Sequence, residues 1–77
     1  MINMGDRIIL RHMTIPGVIC SHGTTVYCVQ PLENNNYLVT LDRTTKKNFV
    51  INEINISRAY NFLTNELVFE HDPRINL

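Results

Sequence analysis

Four side chains in the first part of the chain have the chemistry of zinc ligands: His12, Cys20, His22 and Cys28. Cys20 and His22 are separated by one residue, so on a strand both would lie on the same side. Structural zinc sites usually contain closely spaced cysteine pairs, and this sequence has no Cys-x-x-Cys. We therefore interpret both cysteines as reduced, buried thiols and expect no bound metal or other cofactor.

A cysteine nucleophile is the second chemistry that these residue types permit. Cys20 or Cys28 could be combined with His71 and Asp72 in a triad. However, the thiolate is the nucleophile, and a cysteine inside an apolar strand stays protonated. The sequence also contains no glycine-rich phosphate loop, metalloprotease helix or nucleophile elbow. We expect a protein without enzymatic activity.

Basic residues and tyrosines form a third candidate site, this time for binding. Recognition of single-stranded RNA or DNA requires aromatic side chains on which bases can stack, with cations beside them. The residues of this nucleic-acid hypothesis are Arg7, Arg11, Tyr27, Tyr37, Arg43, Lys46 and Lys47. Against it, seven basic and seven acidic side chains give a formal net charge of zero, so no overall field attracts a polyanion or an anionic membrane. Exposed turns are also commonly basic for solubility alone.

The length of 77 residues limits the chain to one small hydrophobic core. A domain of this size buries only about 60% of the surface of its unfolded chain, which leaves little room for a deep cleft. No internal repeat or linker divides the sequence, and no apolar stretch approaches the roughly 20 residues that span a bilayer. We expect a single domain over residues 1–77, in the cytoplasm, or in the host cytoplasm if a phage encodes it.

Short segments that alternate with period two predict a mainly β fold. In residues 6–13, Ile8 and Leu10 alternate with Arg7, Ile9 and Arg11, and further strands are predicted at 17–21, 25–30, 37–42 and 49–56. Pro31 and the following asparagines predict an exposed loop over 31–36, because asparagine tolerates left-handed turn conformations. Pairing of strands that are neighbours in sequence is the simplest topology.

The segment after residue 57 has a different pattern. Ser57 could cap a short helix over residues 58–65 that places Ala59, Phe62 and Leu63 on one side. Residues 66–70 alternate again and could form either a closing strand or an adhesive extension, and residues 71–77 are expected to fray.

The order of these signals resembles the SH3-like barrel as it occurs in KOW and Tudor-type modules. Residues 5–8 look like the opening of the first strand, and residues 17–19 resemble the start of the second. Residues 37–42 are similar to the central strand, and 49–56 to a last strand pair separated by a tight corner. The resemblance covers residues 5–57 and implies a small barrel of about five strands, to which 58–70 would add a helix and a strand.

The sequence departs from this family in ways that bear on function. KOW modules that bind nucleic acids are clearly basic, and peptide-binding SH3 domains use a groove that includes a Trp, whereas this chain is neutral and has no Trp. Several apolar side chains are also predicted to point to the side of their strand opposite its main apolar face. We call them the apolar residues of opposite parity: Ile9, Val29, Leu38 and Val50. Together with residues of the C-terminal extension they could form an exposed apolar patch, or bulges and the predicted helix could cover them.

The favoured hypothesis is a non-enzymatic protein-binding module. Frequent Asn and Ile are typical of AT-rich genomes, so we expect a phage or bacterial accessory protein that modulates or inhibits a larger host or self complex. The predicted partner-binding residues are Tyr37, Arg43, Lys46, Lys47, Arg58, Phe62, Leu67 and Phe69. The alternatives are a KOW-like RNA- or DNA-binding module and a homo-oligomer that pairs through exposed strand edges.

Overall fold

A computed structural model describes residues 1–11, 13–15, 18–20, 23–41 and 47–72 of the chain. Its strands are Arg7–Leu10 (β1), Met13–Ile15 (β2), Val18–Cys20 (β3), Thr25–Pro31 (β4), Asn36–Thr40 (β5), Asn48–Asn52 (β6), Ile56–Tyr60 (β7) and Leu67–Glu70 (β8). A single 3₁₀ turn over Glu53–Asn55 is the only helical element in the described ranges. The prediction of a mainly β fold is confirmed.

Six of the strands form one antiparallel sheet in the order β6-β5-β4-β1-β7-β8, and β2 pairs with β3 in a separate hairpin. Strands that are neighbours in sequence pair from β4 to β6 and from β7 to β8, as expected. The exception is β1, which lies between β4 and β7. The β2–β3 hairpin sits in the connection from β1 to β4, so the predicted strand over residues 6–13 is two strands that belong to different sheets.

The core lies against one face of the large sheet. In β1, Ile8 and Leu10 are buried while Arg7 and Ile9 are half-buried, so the predicted alternation is confirmed. The buried apolar residues are Ile2, Ile8, Leu10, Val26, Cys28, Val39, Ile51, Ile56 and Ala59. The turn after β4 also follows the prediction, since Asn34 and Asn35 both have a positive φ of about 60°.

The predicted closed barrel is not observed, because the sheet is open in the described residues. Its two edges are β6 and β8, which lie at opposite ends of the strand order and do not pair. Closure would require hydrogen bonds between the first and last strands, and β8 extends the sheet beyond β7 instead.

The predicted helix over residues 58–65 is wrong. Residues up to Tyr60 belong to β7, and Phe62 to Thr64 form a turn that leads into β8. The helical spacing has another cause: β1 pairs Ile8 with Ala59 and Leu10 with Ile56, so Ser57 is an extra residue in the β7 strand. This bulge turns Ile56 and Ala59, three residues apart, toward the same core. The predicted strand over 66–70 is confirmed as β8.

Candidate binding surface

The outer face of the sheet carries a row of polar and aromatic residues centred on Arg7. Arg7 pairs in register with Tyr27 on β4 and with Tyr60 on β7. Its guanidinium lies 4.7 Å from the centre of the Tyr60 ring, and its Nη2 donates to Asn65 Oδ1 at 3.0 Å. A guanidinium over a ring is attracted by the negative face of the π system, so the Arg7 side chain is held against Tyr60.

A second cation lies beside this row. The Nε atom of Arg58 is 3.2 Å from Glu70 Oε2 across β7 and β8. The hydrogen bond to the Tyr60 side chain, then the charge of that side chain and the charge of Glu70, raise the pKa of Arg58 above its usual range. Both side chains of the ion pair are more than half exposed, so the pair contributes little to stability. Its effect is to fix the position of Arg58 next to Tyr60.

The turn between β7 and β8 presents apolar side chains to solvent. Phe62 is 54% exposed, Leu63 78% and Leu67 50%, and we call these three residues the hairpin surface. Asn61 shapes the turn: its Oδ1 accepts from the backbone N–H groups of Leu63 at 2.8 Å and Thr64 at 2.9 Å. Such local side-chain bonds let the chain reverse direction with a defined conformation.

The buried carboxylate of Asp6 ties this turn to the start of the chain. Asp6 Oδ1 accepts from the Phe62 N–H at 3.2 Å, and Oδ2 accepts from the Asn3 N–H at 2.8 Å. The Phe62 ring lies over Gly5, where an added Cβ would be 3.2 Å from Cδ1 of the ring. Gly5 has a φ of +89°, a conformation that other residues rarely adopt. The hairpin surface is therefore anchored at two points.

The remaining predicted residues are dispersed. Tyr37 is half-buried and packs against the core, where burial, and then the negative charge of Glu53, raises its pKa. Lys47 is exposed just before β6. Phe69 also packs against the core, so of the two apolar residues predicted in β8 only Leu67 is exposed. Arg43 and Lys46, the centre of the predicted basic turn, lie outside the described residues.

Arg11 has a structural position. Its Nη1 donates to the Ile54 carbonyl at 3.1 Å, and its backbone N–H donates to the Asn55 carbonyl at 2.8 Å. Both bonds hold the 3₁₀ turn against the end of β1. Arg11 therefore lies away from the outer-face row that contains Arg7.

Of the apolar residues of opposite parity, Leu38 and Val50 lie opposite each other across β5 and β6. Ile9, Val29 and Leu38 are half-buried, and Val29 is an extra residue where β4 pairs with β5. The fourth residue, Val50, is in the middle of the edge strand β6 and is 51% exposed. Val29 lies in a bulge, and the helix that was expected to cover such residues does not form.

Cys28 lies in the core, as predicted. Burial, and then the nearby charge of Asp6, raises the pKa of its thiol to about 11, which keeps the thiol protonated at neutral pH. Among the described residues no three metal-ligating side chains come together. Three of the four candidate zinc ligands lie outside what the structure describes: His12, His22 and the side chain of Cys20. Of this set the structure describes only the Cys28 side chain.

An open hollow of about 410 Å³ lies at the end of β7 and β8. Ser57, Arg58, Glu70 and His71 line it, and the His71 N–H donates to the Ser57 carbonyl at 2.9 Å. His71 was considered as part of a cysteine triad, but Cys28 is in the core and does not line this hollow. No described helix is long and apolar enough to cross a bilayer.

Sequence reasoning missed two residues of this surface, Tyr60 and Leu63, and the buried Asp6 that supports it. The signal for the turn was present, since two asparagines, Asn61 and Asn65, separate two alternating segments. Asn65 has a φ of 61°. No family profile, curated protein sequence or solved structure matches this chain.

Proposed function

We propose that this protein is a non-enzymatic protein-binding module that contacts its partner through the hairpin surface. The observation that carries the proposal is that Phe62, Leu63 and Leu67 are exposed, in and just after a turn that Asn61 and Asp6 hold in place. A pre-organised apolar surface loses little conformational entropy on binding, so its buried area converts more fully into affinity. Aromatic residues such as Phe62 are also enriched at protein interfaces.

The cations on the sheet support a protein partner over a polyanion. Arg7 is bonded to Asn65 and stacked on Tyr60, Arg58 is paired with Glu70, and Arg11 donates to the chain itself. To bind a phosphate with all of its N–H donors, each guanidinium would have to break a contact that it makes within the chain. With a net charge of zero, nothing at long range offsets that loss.

We also propose that the module is of the SH3-like type, with β8 as an addition. The resemblance implies a tight corner between the last two strands of the barrel. The single 3₁₀ turn between β6 and β7 supports this. In this proposal the turn and strand added after β7 carry the specific contacts, and the chain acts as an accessory protein, of a phage or a bacterium, that modulates a larger complex.

The test is affinity capture from the native cell with nuclease treatment, comparing two serine substitutions. Leu67→Ser lies in the hairpin surface, whereas Ile54→Ser lies on the 3₁₀ turn at a nearly equal exposure, 49% against 50%. We expect the unmodified protein and Ile54→Ser to retain the same partner and Leu67→Ser to lose most of it. Equal retention by both variants would contradict the proposal.

The row of Tyr27, Arg7 and Tyr60 favours a second candidate, a module that binds single-stranded RNA or DNA. Bases could stack on exposed parts of these rings, with Arg7 close to the backbone phosphates. Arg7→Ala should then weaken binding of a labelled oligonucleotide and reduce its salt dependence. Lys47→Ala removes the same charge at the far edge of the sheet and serves as the control. An equal loss for both variants would indicate a general charge effect and no defined site.

A further inference from the structure

The two edges of the sheet are built differently. At β8 the pairing with β7 is irregular, and the charged Glu70 ends the strand. At β6 the five residues Asn48–Asn52 pair with β5 in unbroken register and include no charge, proline, glycine or bulge. Natural edge strands usually carry such interruptions, because a regular edge pairs readily with another strand. β6 has none of these protections.

The hydrogen bonds show which backbone groups of β6 point outward. The Glu53 N–H donates to the Asn35 carbonyl at 2.9 Å, which makes 35 and 53 a hydrogen-bonded pair. Bonded pairs alternate along an antiparallel ladder, so Phe49 and Ile51 bond to β5 while the N–H and C=O groups of Val50 point away from it. Within the described part of the chain, no strand lies on that side of β6.

We propose that β6 pairs antiparallel with β6 of a second copy of this chain, about a two-fold axis at Val50. In this register each Val50 would lie opposite its counterpart, and each Phe49 opposite the second copy's Ile51. Lys47, just before the strand, would lie opposite the second copy's Glu53, just after it. The segment K-N-F-V-I-N-E is thus self-complementary: apolar at its centre, with opposite charges at its two ends.

Backbone geometry allows this register, and charge distinguishes it from registers shifted by two residues, in which Lys47 no longer lies opposite Glu53. The outward groups of the two Val50 residues would bond to each other twice, and each Asn48 N–H would meet the second copy's Asn52 carbonyl. The Asn52 N–H is already donated to Asn55 Oδ1 at 2.9 Å, so it needs no partner across the interface. A shift by one residue would place inward-pointing groups opposite each other. A parallel arrangement would set Lys47 beside Lys47, where like charges repel.

The expected association is weak and reversible. A stable interface buries about 1,200–2,000 Å², and the edge of a five-residue strand provides less than that. Burial of Val50, which is 51% exposed in the single chain, adds apolar contact at the centre. The net charge of zero removes long-range repulsion between copies. The two sheets would join into one continuous sheet across the dimer.

Charge reversal tests the proposed register by sedimentation equilibrium of the full chain at concentrations up to about 1 mM. The unmodified protein should form dimers and nothing larger, because a two-fold pairing closes on itself. Lys47→Glu and Glu53→Lys should each weaken the dimer by about tenfold or more. A mixture of these two variants, or the double exchange in one chain, should recover it, because opposite charges again face each other.

A second variant separates loss of pairing from loss of folding. Val50→Pro removes an N–H that points away from β5, so the variant should keep its far-ultraviolet circular dichroism spectrum and be monomeric. A protein that is monomeric throughout, assembles beyond dimers, or shows no recovery in the charge-exchange mixture would overturn the proposal. These outcomes are independent of capture through the hairpin surface, which lies at the opposite edge of the sheet.

Discussion

The buried carboxylate of Asp6 should be one of the most sensitive positions in the protein. It accepts from the N–H groups of Asn3 at 2.8 Å and Phe62 at 3.2 Å, which lie at opposite ends of the sequence. Asp6→Ala removes both bonds and leaves two N–H groups in partly buried positions. Hydrogen bonds to charged acceptors contribute about 1.5–3 kcal/mol each, which gives a gross loss of roughly 3–6 kcal/mol.

Two effects reduce that figure. Removing the carboxylate also removes the cost of burying its charge, and the Phe62 N–H lies in an exposed turn where water can replace the lost acceptor. We expect a net loss of about 2–4 kcal/mol in the free energy of unfolding. Chains of this length are typically stable by roughly 4–12 kcal/mol, so the variant should be close to the limit of folding. Asp6→Asn keeps one acceptor oxygen, so its free energy of unfolding should lie between those of the unmodified protein and Asp6→Ala.

Urea unfolding followed by circular dichroism measures the loss, with Glu33→Ala as the control. Glu33 is an exposed acid in the turn after β4, and its removal should change the free energy of unfolding by less than about 0.5 kcal/mol. Amide hydrogen exchange gives a local readout, since the Asn3 and Phe62 amides should exchange faster in Asp6→Asn. If Asp6→Ala had the same urea midpoint as Glu33→Ala, the reasoning that Asp6 anchors the hairpin surface would be refuted.

Three further predictions concern a glycine pair, the buried thiol and the exposed ion pair. Gly5 and Gly23 have nearly the same positive φ, so alanine should cost each about 1–2 kcal/mol. Only Gly5 lies against Phe62, so Gly5→Ala should cost about 0.5–1.5 kcal/mol more in urea unfolding, and this excess should vanish in a Phe62→Ala background. Burial raises the pKa of Cys28 from 9.0 to about 11, so the contribution of the protonated thiol to folding stability is complete below pH 9 and decreases as the thiol of the unfolded chain ionises. The free energy of unfolding should fall by up to roughly 2–3 kcal/mol between pH 9 and 11, and Cys28→Ala should flatten that slope. Arg58→Ala removes an exposed ion pair and should leave the unfolding midpoint unchanged within error, whereas a clear destabilisation would contradict the weak role assigned to that pair.

The parts of the fold that are encoded locally could be read from the sequence. Alternation in residues 7–10 identified Ile8 and Leu10 as core residues because a strand places successive side chains on opposite faces. The turn after β4 was identified for a similar reason, since Asn34 and Asn35 tolerate left-handed conformations. In both cases the physical cause lies within a few residues of its signal.

The position of β1 between β4 and β7 could not be predicted in this way. Its partners are separated from it by a hairpin on one side and by most of the chain on the other. Local patterns contain no information on which distant strand completes a sheet. Asp6 was missed as an anchor for the same reason, because its bond to Phe62 joins residues 56 positions apart.

The error over residues 58–65 shows how a bulge can imitate a helix. A regular strand that buries Ala59 would turn Ile56 toward solvent, and one that buries Ile56 would carry Arg58 into the core. The first arrangement leaves a large apolar side chain in water, and the second buries a guanidinium without a partner, which costs far more. One extra residue at Ser57 removes the conflict: Ile56 and Ala59 both face the core, while Arg58 faces solvent beside Tyr60 and Glu70. The spacing of three that resembles a helix is therefore what allows β7 to complete the core on one face and present a charged side chain on the other.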